Sequence, residues 1–261
     1  MRELPKRIIS ALIFGPIVLV GLYLGGWFLF AIVVACSYGL LTEFRKTTGK
    51  ISNLEFWVLF LLMALWHFAA EIDYPMMNEL FISSALILFL IELGKERIDF
   101  TIEKNSLVLF LFFYCGVLPS SFIFVRKFGI FWAILPTVMV WIVDTFAYWG
   151  GSLTGKHHLA EKISPHKTIE GFFWGLLSGI AVAFGTIAIF PEENQLPIWI
   201  LVFITGIVGQ LGDLFESKIK RQLGVKDMGS IMPGHGGVWD RTDSLLWVYP
   251  ITYLALRIFH P

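Results

Sequence analysis

The sequence has little charge and little cysteine. Of its 261 residues, 15% are charged and two are cysteines, whereas an ordinary soluble domain is about 25% charged. Cys36 and Cys115 both lie in apolar runs without the spacing of a metal site, so we expect two small buried side chains rather than a disulfide framework. The formal net charge is zero, and we expect no nucleic-acid partner.

Apolar residues dominate the sequence. The chain is 56% hydrophobic and 16% aromatic, with a mean hydropathy of +0.73. Apolar runs approach the roughly 20 residues needed to cross a bilayer, and they recur along the whole length, so the first run is a span rather than a cleaved signal. The sequence therefore predicts an all-α, polytopic integral membrane protein with nine transmembrane helices near residues 8–24, 27–41, 56–70, 79–93, 106–125, 130–149, 169–190, 197–215 and 244–259.

The basic residues indicate the orientation of these spans. Short cytoplasmic loops are rich in Lys and Arg, and with the N-terminus inside, all 20 basic residues except three fall on one side. The exceptions are Arg126, Lys127 and Arg257. The pattern predicts a cytoplasmic N-terminus and cytoplasmic loops at 150–168 and 216–243, in a multi-pass protein of the cell's inner (plasma) membrane whose active site faces the cytoplasm.

The chain divides into two parts by its polar content. Residues 1–129 are spans joined by brief polar links, and we expect them to face lipid or form a dimer interface. From residue 130 onward, acids enter the spans and the cytoplasmic loops lengthen. We therefore expect residues 130–261 to form the catalytic transmembrane domain.

Two acids lie at the inner ends of predicted spans. Asp144 ends the sixth span and Asp213 the eighth. An unpaired carboxylate in a membrane costs about 2.5–3.5 kcal/mol on insertion scales, so each needs a partner or water. If the helix after Asp213 continues, an acid, a hydroxyl and two bases fall on nearby faces: Glu216, Ser217, Lys220 and Arg221. The alternative for Asp144 is a helix end that reaches the membrane interface. The alternative for the Asp213 segment is a solvated helix end with surface salt bridges.

A glycine-rich turn, PGHGGVWDRTD at 233–243, follows this helix. Its glycines permit close backbone approach to an anion: Gly234, Gly236 and Gly237. Asp240 and Asp243 are three residues apart at a helix start, which puts both carboxylates on one face and suits Mg²⁺. Asp243 is also a possible N-cap. We expect His235 to donate a hydrogen bond to phosphate rather than to bind metal, because Mg²⁺ prefers oxygen.

The loop at 150–171 adds positive charge beside an apolar helix. Ser164, Lys167 and Thr168 precede that helix, so its N–H groups and the lysine face the interface. The adjacent His157 and His158 have no other ligands nearby, and we interpret them as surface residues. All these groups fall on the cytoplasmic side, which indicates a metal-dependent enzyme acting on phosphorylated, lipidic compounds.

The polar segments resemble the phosphatidate cytidylyltransferase family, the CDP-diacylglycerol synthases. The resemblance rests on SKIKRQLGVKDMGSIMPGHGGVWDRTDS at 217–244, GDLFES at 212–217, SPHKTIEG at 164–171 and DTFAYWGG at 144–151. It covers the C-terminal half, since the N-terminal half is similar to the family only in hydropathy. The resemblance implies that CTP and phosphatidic acid react to CDP-diacylglycerol and pyrophosphate in phospholipid biosynthesis, with Mg²⁺, in a homodimer surrounded by membrane lipids. A second, monovalent cation is compatible with it.

The resemblance also implies roles for individual residues. Asp213 and Asp240 would bind the metal, and Asp144, Asp227 and Asp243 would lie near the site, with Asp144 and Asp243 as further candidate ligands. Five basic residues would contact phosphates: Lys167, Lys220, Arg221, Lys226 and Arg241. The alternatives are another membrane phosphotransferase, such as a polyprenol kinase, and a cation-coupled transporter that uses Asp144 and Asp213 as an ion pathway.

Overall fold

The computed structural model describes residues 3–93, 101–229 and 236–259, with side chains from residue 14 onward except at 92 and 101. The elements follow in this order: α1 (Glu3–Leu24), α2 (Gly26–Thr48), α3 (Asn53–Glu71), α4 (Met77–Leu93), α5 (Thr101–Phe112), α6 (Leu118–Arg126), α7 (Ile130–Thr154), β1 (His158–Ala160), β2 (Ser164–Thr168), α8 (Ile169–Ile189), α9 (Gln195–Phe203), α10 (Gln210–Gln222), α11 (Trp239–Thr242) and α12 (Leu245–Phe259).

The helices confirm the predicted fold class, an all-α polytopic membrane protein. A π-helical turn at Phe113–Val117 joins α5 to α6, and another at Ile204–Gly209 joins α9 to α10. Within the described ranges the helices therefore form nine long rods, the number that hydropathy predicts. Six of these are long and apolar enough to cross a membrane: α2, α3, α5–α6, α7, α8 and α9–α10.

Several helices extend beyond their apolar runs. The second span, predicted to end at residue 41, continues as α2 to Thr48 and ends at Gly49, whose φ of 62° is left-handed. The eighth span is predicted to end at residue 215, yet α10 continues to Gln222. These extensions carry charged side chains out of the apolar region, so hydropathy alone places the helix ends too early.

Arg126 and Lys127, two exceptions to the charge pattern, stabilise the C-terminal ends of helices. Arg126 donates from Nε to the Leu22 carbonyl at 2.7 Å, at the end of α1. Lys127 Nζ donates to the Ala70 carbonyl at 2.6 Å, at the end of α3, and pairs with Asp73. Cations at helix C-termini offset the helix dipole. The ends of α1, α3 and α6 therefore lie on the same side, as the alternating topology requires.

Two hydrophobic clusters hold the bundle together, and both draw on the N-terminal and C-terminal parts of the chain. One contains Leu22 and Leu29 with Trp132, Val202 and Tyr249. The other joins side chains of α2, α3 and α5 to Trp239 and Leu246. The two parts thus share their packing, while the functional division at residue 130 stays a prediction.

A short antiparallel hairpin interrupts the loop between α7 and α8. It pairs His158 with Thr168 and Ala160 with Ser164. The sequence analysis does not predict these strands. Thr168 then caps α8, because its hydroxyl accepts the N–H of Gly171. The hairpin therefore leads directly into α8 and holds Lys167 just before the helix starts.

Candidate active site

Three carboxylates from different parts of the fold come together: Asp144 in α7, Asp213 in α10 and Asp243 between α11 and α12. We call them the acid cluster. Burial, followed by the charges of Asp213 and Asp144, raises the pKa of Asp243 to about 8. Asp243 also accepts the N–H of Ser244 at 2.8 Å, which is a local bond rather than a cap of a long helix.

A glycine explains why Asp213 and Asp243 are neighbours. Gly212 packs so closely that a Cβ there would lie 2.6 Å from the Trp247 ring and 2.9 Å from the Asp243 carbonyl oxygen. A side chain at position 212 would push α10 away from the start of α12. The glycine of GDLFES therefore sets the distance between the two acids.

Lys167 pairs with Asp213 at the edge of the acid cluster. Its Nζ lies 2.5 Å from Asp213 Oδ2, and both side chains remain about a quarter exposed, 24% and 27%. Ser217, one turn further along α10, donates to Asp213 Oδ1 at 3.4 Å. The Asp144 side chain is solvent-accessible because it lines a cavity inside the bundle.

Asp240 belongs to a second group, the buried ion group, with Lys220 and Glu216. Lys220 Nζ lies 2.8 Å from Asp240 Oδ1 and 2.9 Å from Glu216 Oε1. The other Asp240 oxygen accepts the N–H groups of Met228 and Gly237, at 3.1 and 2.8 Å. Glu216 is fully buried. This arrangement leaves Asp240 without a free oxygen in the described structure.

The contacts of the buried ion group bear on the expected roles of the acids and of Lys220. Asp240 lies in the single turn α11, Asp243 directly follows it, and the two carboxylates accept hydrogen bonds from different partners. Lys167 pairs with Asp213, and Lys220 pairs with Asp240. Lys220 was expected to contact phosphate, but its ammonium group lies between two carboxylates.

The glycine-rich turn also differs from expectation. Gly234 and His235 lie outside the described residues. Gly236 has a φ of 82°, and the three following N–H groups, of residues 237–239, all donate to carboxylates: the first to Asp240 and the next two to Glu43 of α2. A phosphate would have to displace these carboxylates to use the same donors.

The other predicted residues lie in the hairpin, at the end of α10 and just after it. Arg221 donates from Nε to the Ile163 carbonyl at 3.2 Å, and so ties the hairpin to the end of α10. Lys226 and Asp227 are exposed after α10, while Ser164 is half-buried in β2. His157 is exposed as predicted and lies 2.7 Å from Glu170.

An apolar cavity of about 660 Å³ opens beside the acid cluster. Its walls come from α1, α2, α6, α7 and α12, with Ile17, Val33 and Phe122 among the apolar lining. The polar part of the lining is Asp144, Thr145, Arg241 and Thr242. The cavity therefore joins a hydrocarbon-like interior to a charged end.

Within the described residues, no three His, Cys, Asp or Glu side chains converge as a complete metal site. The acid cluster nevertheless has three carboxylates and two nearby bases, Lys167 and Arg241. Mg²⁺ commonly binds through one or two carboxylates and completes its shell with water and substrate phosphates. The donor set of the acid cluster therefore fits a magnesium ion that completes its shell with water and phosphate oxygens.

Glu43 and Glu216 are the site residues that sequence reasoning missed. Glu43 lies beyond the predicted end of the second span, and its partners are 195 and 196 positions away in sequence. Glu216 was noted only as a neighbour of Asp213. An acid in the last turns of a largely apolar helix is the one signal that could have identified Glu43.

Comparison with known proteins identifies relatives over nearly the full chain. A model described as the cytidylyltransferase family matches residues 5–259. Proteins named phosphatidate cytidylyltransferase are similar to this chain in Staphylococcus haemolyticus (35% identical over 95% of this chain and 96% of the relative) and Staphylococcus epidermidis (36%, with the same coverage). One from Staphylococcus aureus is 35% identical over 82% of this chain and 81% of its own length.

Proposed function

The chain belongs to the cytidylyltransferase family, and we propose that it is an enzyme that makes CDP-diacylglycerol and pyrophosphate from CTP and phosphatidic acid. The observation that carries the proposal is the apolar cavity that ends at Asp144 and Arg241 beside the acid cluster. One site thereby offers an apolar space for acyl chains and a charged space for phosphates. The relatives named phosphatidate cytidylyltransferase support the same substrates.

The lipid would enter with its acyl chains in the cavity and its phosphate at the polar end. Arg241 and Thr242 lie at that end, where a guanidinium group can hold a phosphate by two parallel hydrogen bonds. CTP would bind on the loop side, near Lys167 and the exposed Lys226. This arrangement brings the lipid phosphate and the nucleotide together at the acid cluster.

The reaction needs little proton transfer. A phosphate monoester carries about −1.5 to −2 charge near pH 7, so phosphatidic acid already presents an oxygen nucleophile. That oxygen forms the new bond to the α-phosphorus of CTP as the bond from this phosphorus to the β-bridging oxygen breaks. The electron pair leaves with pyrophosphate. Catalysis then depends on positioning and on neutralising charge, for which Lys167, Lys226 and Arg241 are the basic groups.

We propose that Asp213, with Asp144 and Asp243 beside it, would hold Mg²⁺. The ion would supply positive charge to the triphosphate and to the leaving pyrophosphate. Asp240, the other ligand that the family resemblance implies, would have to leave Lys220 to reach the same ion. In the present arrangement Asp240 instead orders the turn at residues 236–240.

We further propose that the site faces the cytoplasm from the plasma membrane, and that the enzyme is a homodimer. The orientation rests on the distribution of basic residues, and the common side of the α1, α3 and α6 ends supports the alternation of spans used to count them. CTP is a cytoplasmic nucleotide, so a site on that face has direct access to it.

The orientation can be checked by labelling single cysteines, introduced in place of Lys162 or Lys226 in a variant that lacks Cys36 and Cys115. In intact cells, a membrane-impermeant maleimide should label neither position until the membrane is opened. A cysteine in place of Glu192, exposed between α8 and α9, is the control that should be labelled from outside. Labelling at residues 162 and 226 with none at 192 would reverse the topology.

The role of the cavity can be checked by filling it. Ala35 of α2 lines the cavity, so Ala35→Trp should raise the KM for phosphatidic acid by about 10-fold and leave the KM for CTP unchanged. Ala31 is also exposed on α2 but outside the cavity lining, and Ala31→Trp is the matched control. Equal effects of both variants, or an effect on CTP alone, would contradict the lipid assignment.

The proposed reaction is tested with purified protein in detergent, phosphatidic acid, Mg²⁺ and each of CTP, ATP, GTP and UTP. We expect CDP-diacylglycerol and pyrophosphate with CTP, and loss of both when the metal is chelated. Transfer of a γ-phosphate from ATP to a lipid alcohol would indicate a kinase instead.

A further inference from the structure

The C-terminal part of α2 holds the segment that carries the catalytic residues of α11. Glu43, which is only 2% exposed, accepts the Val238 N–H at Oε1 and the Trp239 N–H at Oε2, at 2.9 and 3.1 Å. Each carboxylate oxygen therefore has a backbone donor from the first residues of α11. Hydrogen bonds to a charged acceptor are stronger than neutral ones.

Neighbouring residues of α2 hold the same segment at further points. Trp239 donates from Nε1 to the Leu40 carbonyl at 2.7 Å, and its ring stacks on Tyr114 at 4.8 Å between centroids. Thr47 donates to the Met228 carbonyl at 2.9 Å. Both described ends of the 228–240 segment are thus fixed to α2.

Two glycines of the segment make room for the Glu43 carboxylate. A Cβ added at Gly229 or at Gly237 would lie 2.3 Å from Glu43 Oε1, which is far inside contact distance. These two glycines are therefore needed for Glu43 of α2 to pack against the segment, in addition to any contact with substrate. The N-terminal half of the chain thus packs directly against the catalytic half.

We propose that Glu43 is a positioning residue for cytidylyl transfer, which acts by fixing the start of α11 so that Arg241 and Asp243 face the substrates. The inference rests on the proposed function. Glu43 binds the N–H groups at the start of α11, and Arg241 lies two residues further along the same turn. A shift of Val238 and Trp239 therefore moves Arg241 and Asp243 directly. Glu43 itself contacts backbone and is not a candidate for contact with the reacting atoms.

The chemistry of the contact indicates the informative substitution. Glu43→Gln keeps the shape of the side chain, but an amide has one acceptor oxygen and an NH₂ group that only donates. One of the two backbone N–H groups then faces another donor and loses its bond. Burial makes such an unmatched donor costly, so the start of α11 should shift while the bundle remains folded.

The matched control is Glu55→Gln in the neighbouring helix α3. Glu55 is also buried, at 4% exposed, and accepts a backbone N–H, that of Ser52, at 2.7 Å. Its partners are in the α2–α3 connection and in Lys104, away from the acid cluster. The control therefore measures the general cost of neutralising a buried glutamate in this bundle.

The test compares KM values for both substrates and the Kd for CTP in the presence of Mg²⁺. Misfolding lowers the amount of active enzyme and leaves KM unchanged, whereas a displaced binding group raises it. We expect Glu43→Gln to raise the KM for phosphatidic acid, because Arg241 moves, and the KM and Kd for CTP, because Asp243 moves, each by about 10- to 100-fold. Glu55→Gln should keep all three values within about twofold of wild type.

Thr47→Val gives a milder second test, because it removes only the bond to the Met228 carbonyl and keeps the shape of the side chain. It should raise the KM for CTP by about 3- to 10-fold. Unchanged CTP parameters in folded Glu43→Gln, or in Thr47→Val if the first variant does not fold, would overturn the proposal. A wild-type enzyme that binds CTP but forms no CDP-diacylglycerol would contradict the proposed function instead, and the Kd comparison would still decide the role of Glu43.

Discussion

Asp213→Asn is expected to lower the kcat for CDP-diacylglycerol formation by at least about 100-fold while the protein still folds. Asp213 is the acid-cluster residue on α10, it is partly exposed, and it pairs with Lys167. Asparagine keeps the shape and removes the charge that would hold Mg²⁺ against the triphosphate. Because the ion pair is partly exposed, its loss should change the free energy of unfolding by only about 1 kcal/mol or less.

The measurement is the initial rate of product formation at saturating CTP and phosphatidic acid, over a range of Mg²⁺ concentrations. Glu161→Gln, at an exposed acid in the turn of the hairpin, is the control and should keep the wild-type rate. A folded Asp213→Asn enzyme with a near-normal rate and an unchanged Mg²⁺ dependence would remove Asp213 from the metal site.

Lys220→Met is expected to have the largest effect on stability. Lys220 lies between Asp240 and Glu216, at 2.8 and 2.9 Å, and Glu216 has no exposed surface. Removing the cation leaves two buried carboxylates without their partner, and such a loss costs about 3–5 kcal/mol. The free energy of unfolding in mixed micelles should fall by this amount.

Two further variants distinguish the effect of breaking the buried ion group from the general effect of removing a lysine. Lys218→Met removes an exposed lysine from the same helix and should change the free energy of unfolding by less than about 0.5 kcal/mol. Glu216→Gln added to Lys220→Met should restore part of the loss, because one buried charge disappears. Equal stabilities of Lys218→Met and Lys220→Met would contradict the structural role of Lys220.

Hydropathy was sufficient for the fold because the membrane imposes long helices on apolar runs. It could not predict the helix ends, since the last turns of α2 and α10 are amphipathic and leave the apolar region. The hairpin could not be predicted either, because strands of three and five residues are too short to show an alternation of apolar and polar residues. The π-helical turns left the number of rods unchanged.

The motifs predicted residues that lie near one another, but not how those residues pair. Asp144, Asp213 and Asp243 come from three separate motifs and lie close enough to interact electrostatically. Sequence spacing did not predict the partners of Asp240, because Lys220 and the N–H groups of Met228 and Gly237 reach it from other segments. The contact of Glu43 with the glycine-rich segment depends on how α2 packs against α11, which no local pattern records.

The central claim is that a lipid phosphate oxygen attacks the α-phosphorus of CTP directly in this site. It is tested by the configuration at phosphorus, with one diastereomer of CTP that carries sulfur at the α-position, phosphatidic acid and the purified protein. A single in-line displacement predicts CDP-diacylglycerol with inverted configuration and release of unlabelled pyrophosphate. Retention of configuration would require a covalent cytidylyl-enzyme intermediate and would contradict the account.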